Sequence, residues 1–333
     1  MEPYELAKRK LNIINILKTI TNKEMDISSA SSSEEEVEIR IGLPKRYIRD
    51  PQNPFQIFND LAFRKRYRFT KEAVLYVLLP IVKNSVEDNT NSRGLPISTT
   101  EKLLIALRYY GSNCFQNISG DLRKISQQIV SDIVKEISII FAEVVDKFIY
   151  FPRNNDDKIR NMDEFYNIAS FPYISGTIDC THIAIKNPGN VYGEVFRNRK
   201  GWFSLNVQVV CGSQLNIMDI VIRHPGSAHD ALIFDRSTVR ARFENDELDG
   251  ILLGDAAYGS RRFLLTPVTN VTTAAEINYN KAHISTRNTV ERLFGVLKKK
   301  FPCLQSGLRT GLSTSAATIA ACAVLYNIGV KLN

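Results

Sequence analysis

The sequence predicts an α/β domain preceded by an all-helical region. Three observations carry that reading. Apolar residues recur at helical spacing through much of 55–148, and from residue 173 onward the period becomes that of strands. Three apolar strand-like runs then follow one another, and after them come a helix, a short strand and a long helix. That succession is the order of a ribonuclease-H-like fold. The third observation is a single carboxylate, Asp179, in the middle of the first run, S-G-T-I-D-C-T-H-I-A-I at 175–185. An unpaired charge inside a sheet is expensive, so Asp179 calls for a partner such as a bound cation.

A chain of 333 residues with 44% hydrophobic residues suits two globular parts. We divide it into a poorly ordered segment at 1–53, a helical region at 54–152 and the α/β domain at 153–333. The 43 Lys and Arg against 35 Asp and Glu leave a net charge of +8, which tilts the choice of partner towards phosphate. Five scattered cysteines, an odd count without any C-x-x-C, exclude a disulfide scaffold and a zinc module, and suit a reducing compartment. No run of about 18 uncharged apolar residues predicts a membrane span, so no membrane association is expected. The first residues lack the features of a signal peptide, and an intracellular protein is expected.

The elements follow in order. Residues 1–24 hold a short candidate helix, and 28–38, S-S-A-S-S-S-E-E-E-V-E, is a solvated linker whose serines could take phosphate. Residues 55–86 read as helical, 89–96 as a polar loop, and 98–110 as a helix capped by Ser98 or Thr99, with Leu103, Leu104, Leu107 and Tyr110 on one face. Ile118 and Leu122 mark a short helix; a turn follows, and then a second helix with Ile129, Ile133, Val134, Ile137, Ile140 and Phe141 facing inward. Such a pair is a helix-turn-helix, which either packs as plain structure or lays its second helix in a DNA groove. In the second case Gln127, Gln128, Ser131 and Lys135 would face the DNA. Few periodic apolar residues occur at 151–171, where the boundary is placed.

Beyond it, 174–185, 203–211 and 217–222 read as an antiparallel meander, with Leu205, Val207 and Val209 on one face of the middle strand. A helix is expected at 230–242, a short strand at 251–254, a loop at 266–273, and helices at 285–301 and 314–328. In this order of elements Asp179 and Asp255, in L-L-G-D-A-A-Y-G, become neighbours, and Glu291 projects towards them from the edge of the penultimate helix. Three such carboxylates repel unless hard cations join them, which favours Mg²⁺ or Mn²⁺. Two ions would then serve in-line cleavage of a phosphodiester. Asp230 either caps the helix it begins or adds a metal ligand, with His229 beside it. His182 lies on the opposite sheet face by parity and reads as structural. Arg287, Arg292, Lys298, Lys299 and Lys300 would grip a DNA backbone beside the acids, and Arg197, Arg199 and Lys200 beside Trp202 form a second basic patch.

As an ordered set, these motifs resemble the PIF/Harbinger superfamily of DDE transposases, especially its domesticated, transposase-derived animal nucleases. The matching residues are G-T-I-D-C-T-H-I at 176–183, G-S-A-H-D-A-L-I-F at 226–234, L-L-G-D-A-A-Y-G at 252–259, L-L-T-P at 264–267 and V-E-R-L-F-G-V-L-K at 290–298. F-R-K-R-Y-R-F-T-K-E at 63–72 and F-Q-N-I-S-G-D-L at 115–122 extend the likeness upstream. The resemblance implies a metal-dependent DNA endonuclease with Asp179, Asp255 and Glu291 as catalytic triad, Asp230 as a further metal-site acid, and a DNA-binding helix-turn-helix. Strand transfer would follow in a true transposase. The resemblance also implies a separate Myb-like or trihelix DNA-binding partner and work in the nucleus, with the cytoplasm as a second compartment. A homo-oligomer is a further expectation. The sequence departs from the family pattern at Leu325-Tyr326-Asn327 and in the Ala-Ala-Tyr after Asp255. The alternative reading is a domesticated DNA-binding or chromatin factor that kept the acids, lost cleavage and acts with a partner protein.

Overall fold

A computed structural model describes residues 53–85, 97–112, 125–189 and 193–332. The segment before residue 53, the loop at 89–96 and the first helix of the expected helix-turn-helix lie outside the described residues.

The helices start where short polar side chains can accept a hydrogen bond from the first turn. Asn59 caps α1 (Asp60–Tyr67) by accepting from the Ala62 amide. The helical stretch at 71–83 starts at Thr70 and widens into a π turn at Val74–Leu78. Pro80 follows one residue after its end and lacks the N–H that a regular turn would use there. Ser98 and Glu101 form a capping box on α2 (Thr99–Tyr110), and all four apolar residues expected on its face are buried. Ser126 caps α3 (Gln127–Glu143). Its inward face holds Val130 in place of the expected Ile129, which stays 40% exposed.

Residues 151–171 are not without regular structure. They hold α4 (Asn155–Ala169), of which only Phe165 is buried, so its apolar period is faint in sequence.

The α/β part is a five-stranded sheet in the order β3-β2-β1-β4-β5. It comprises β1 (Ile174–Ala184), β2 (Ser204–Cys211), β3 (Ile217–Pro225), β4 (Ile251–Leu253) and β5 (Leu264–Leu265). The first three form the expected antiparallel meander; β4 lies parallel to β1 and β5 parallel to β4. The two-residue β5 is too short to carry a strand period in the sequence. Every residue of β2 is buried, because helices cover both sheet faces. Leu205, Val207 and Val209 enter one apolar core, while Val210 joins Ile178, Phe234 and Tyr258 in a second.

The helix expected at 230–242 is two: α5 (Asp230–Asp235) and α6 (Thr238–Glu244). Ser237 divides them, donating to the Phe234 carbonyl and accepting from the Arg240 amide. The long helix α7 (Ala274–Lys300) starts well before the expected 285, at a capping box of Thr273 and Glu276. The final helix, α8 (Leu312–Lys331), is apolar on all sides and lies along α3. It is long and apolar enough to cross a membrane, yet 78% of that stretch is buried inside the protein. Its Thr318 hydroxyl bonds to Ser138 of α3 at 3.2 Å, and Ser138 bonds to Tyr110 of α2 at 2.6 Å. One apolar core runs from Phe63 and Leu107 through α8 to Val209 and Val290.

Candidate active site

The register of the central strands brings the first two acids together. Thr177 of β1 pairs with Leu253 of β4, and two residues further along each chain stand Asp179 and Asp255. The Asp179 Oδ1 accepts from the Cys180 amide at 2.7 Å. The Asp255 Oδ1 accepts from the Ala257 amide at 2.9 Å, which fixes the turn after β4. Asp230 arrives from the other side, as the first residue of α5. Asn206 of β2 holds it: the amide Nδ2 donates to Asp230 Oδ1 at 2.8 Å and to the Ala228 carbonyl at 2.9 Å. One carboxylate oxygen each of Asp179, Asp230 and Asp255 lies within 4.8 Å of the others, and all three residues are half-buried.

Three carboxylates so close are a costly arrangement without a cation. Burial pushes the Asp179 carboxyl up to about 6. The Cys180 amide and the Arg287 charge oppose that rise, and the charges of Asp255 and Asp230 add to it. An oxygen-only donor set of this kind fits a hard divalent ion.

Glu291 sits outside this group of three. Its carboxylate, on a side chain 50% exposed, accepts from Arg287 Nη2 at 2.7 Å, while Arg287 Nη1 donates to Asp179 Oδ2 at 3.2 Å. Arg287, one of the residues expected against DNA, thus spans the gap between the two acids, with its own side chain only 17% exposed. Lys298 reaches back to β1, donating to Thr181 Oγ1 at 2.7 Å and to the His182 carbonyl at 3.3 Å. Lys300 places its ammonium 4.6 Å from the Phe69 ring. Arg292 and Lys299 are exposed. On α3, Gln127, Gln128 and Lys135 are exposed and Ser131 is half-buried. In the second basic patch Arg199 and Lys200 are exposed, whereas Arg197 pairs with Glu194 and stacks on Phe203.

Asp230 is not a helix cap. His229 occupies that position without a side-chain hydrogen bond, and the Asp230 carboxylate is turned to Asn206 and the other acids. His182 sits 3.0 Å from the Ser204 hydroxyl, edge-on to the Trp202 ring.

Sequence reasoning missed Asn206, Gln208, Cys180 and Tyr258. Cys180 Sγ is 3.3 Å from the buried Tyr258 hydroxyl. Gln208 is fully buried opposite Cys180, and among the described residues neither its amide nitrogen nor its oxygen has a partner. The signal was present: Asn206 and Gln208 are polar residues inside an apolar strand, the same oddity that singled out Asp179.

Acids brought together by β1, the turn after β4 and the start of α5 form a donor set of the kind that holds a divalent cation in metal-dependent phosphodiester chemistry. Residues 178–327 match the family model described as DDE superfamily endonuclease. The human protein named "Putative nuclease HARBI1" is 34% identical over 269 residues, covering 80% of this chain and 76% of the relative. Its mouse counterpart is 35% identical over 268 residues, covering 79% and 76%. The Arabidopsis thaliana "Protein ALP1-like" is 23% identical over 260 residues, covering 73% of this chain and 63% of that protein. No solved structure matches. The chain belongs to the family of DDE nucleases derived from Harbinger transposases.

Proposed function

We propose that this protein is a divalent-metal-dependent DNA endonuclease. The observation that carries the reading is the group of Asp179, Asp230 and Asp255, with oxygens within 4.8 Å of one another. Asp179 offers its carboxylate from β1 and Asp255 from the turn after the adjacent parallel strand β4, and Asn206 orients Asp230 towards them. Glu291 completes the catalytic set from α7, and Arg287 offsets the charge of Asp179 and Glu291 between them. Two Mg²⁺ or Mn²⁺ ions held there would activate water and stabilise the leaving oxygen of a phosphodiester. The product is a nick with a free 3′-hydroxyl, and strand transfer would be attack by that hydroxyl on a second DNA.

The strand order 3-2-1-4-5, with three antiparallel strands and two parallel ones, supports a ribonuclease-H-like domain at 153–333. Ahead of it, α3 supplies the second helix of a helix-turn-helix, with Gln127, Gln128, Ser131 and Lys135 towards DNA. Arg292, exposed beside Glu291, gives a backbone contact that binds without reading sequence. A Myb-like partner protein, a homo-oligomer and a nuclear site of action are further parts of this proposal, carried over from the resemblance of the sequence motifs.

The test is supercoiled DNA incubated with the purified chain and with its Asp255→Ala variant, in Mn²⁺, Mg²⁺ or EDTA. The expected result is nicking by the unaltered chain in metal only. Nicking retained by Asp255→Ala, or in EDTA, would overturn the assignment. DNA shifted equally by both proteins without any nick would favour a binding factor.

A further inference from the structure

A groove of about 720 Å³ runs between the first described helices and the far ends of α7 and α8. Arg64, Lys65 and Arg68, the last also donating to the Gly111 carbonyl, line one wall, Lys299 and Lys300 the other. Between them the lining is apolar: Tyr76, 77% exposed, and Val296, 46% exposed, border the buried Phe69 and Gly329. Glu72 is the one carboxylate in this lining. Burial and the Arg64 charge push the Lys300 ammonium down to about 8, so the cations crowd one another. A ligand suited to this groove carries several negative charges and aliphatic side chains.

The groove is not part of the acid site. Lys300 follows Glu291 by nine residues, about two and a half turns, and so leaves the opposite side of α7. DNA held at the acids would have to pass around the helix to reach it.

We propose that the groove docks the acidic tract of the same chain, residues 34–39, E-E-E-V-E-I. Four carboxylates would meet the cations of the walls, and Val37 and Ile39 would meet the apolar floor. The tract lies outside the described residues, which begin at Asn53. The fourteen peptide steps from Ile39 to Asn53 span up to about 45–50 Å when extended, ample for a return. The distance to cover is short: Phe55 packs on Phe63 of α1, with ring centroids 5.1 Å apart, and α1 carries Arg64 and Lys65. Tethering makes the tract the ligand at highest local concentration. Phosphate on Ser33, next to Glu34, would tighten the contact by adding charge.

The experiment uses the full chain carrying Val37→Cys and Val296→Cys under mild oxidation, with the disulfide located by peptide mapping. Native thiols among the described residues are buried or half-buried and compete poorly. The expected result is a 37–296 link within one chain. Its yield should fall by about an order of magnitude with Lys65→Glu and Lys299→Glu, because attractive exposed pairs become repulsive. It should recover when Glu34→Lys and Glu36→Lys are added. No link, a link indifferent to charge reversal, or a link only between two chains overturns the proposal. So does a short DNA duplex that binds at Lys65 and Lys299 in a chain that never forms the link, which would make the groove a nucleic-acid surface.

Discussion

Asp179 carries the sharpest consequence at the scale of single residues. Its carboxyl titrates at about 6 against an ordinary 3.8, chiefly because it is buried. Without a cation the folded chain keeps a proton that the unfolded chain has already released, so stability from this group is greatest below the ordinary value. It falls as pH rises through that window and is lowest above about 6. A divalent ion binds the deprotonated form and removes the penalty. Added Mn²⁺ should therefore raise the melting temperature far more at about pH 7.5 than at about pH 5, by RT ln(1 + [L]/Kd) in free energy. Thermal scans with Mn²⁺ against EDTA at the two pH values check this. An equal shift at both would mean that Asp179 does not hold the ion.

At the scale of elements, β2 does more than fill the core. It presents Asn206 to the start of α5, and that amide ties Asp230 to the sheet. Asn206→Ala should weaken Mn²⁺ binding by about 10–100-fold while the fold survives, as for other residues that orient a metal ligand. Calorimetric titration gives the Kd, and circular dichroism checks the fold; unchanged affinity would remove Asn206 from the site. The strands were legible in the sequence because β2 and β3 are apolar runs bounded by turn residues, and Asp179 was legible because a charge in such a run is an anomaly. Asp255 followed from the order of elements. The early start of α7 was not legible in the same way, since only His283 is buried among its residues 274–285. The break at Ser237 escaped because a serine inside a helical pattern signals a cap only once its partners are known. Glu291 illustrates a different limit. Its helix and position were foreseen, but the guanidinium between it and Asp179 depends on side-chain placement across 108 residues of chain.

The whole molecule is joined by α8. Leu325 is fully buried in the core that also takes in Leu107, Phe141 and Val209, from both the helical region and the sheet. Truncating it leaves a cavity that neither side can close alone, and Leu325→Ala should cost about 2–5 kcal/mol. Because the core is shared, helix loss and sheet loss should coincide in this variant and in the unaltered chain. Trp202 is the only tryptophan and lies beside the sheet, so its fluorescence reports the strands while far-ultraviolet circular dichroism is dominated by the helices. Coincident urea transitions by the two probes are expected; separated midpoints would show that the two regions unfold independently.

The position of α8 also governs how the chain comes into being. Translation produces α3 early, yet α8, the helix that lies along it, is made only after every strand and the whole of α7 have left the ribosome. Until then the face of α3 that α8 covers is bare, although α2, α3 and the helical stretch at 71–83 can already pack on one another. Nascent chains should therefore engage holding chaperones over most of their synthesis and mature only afterwards.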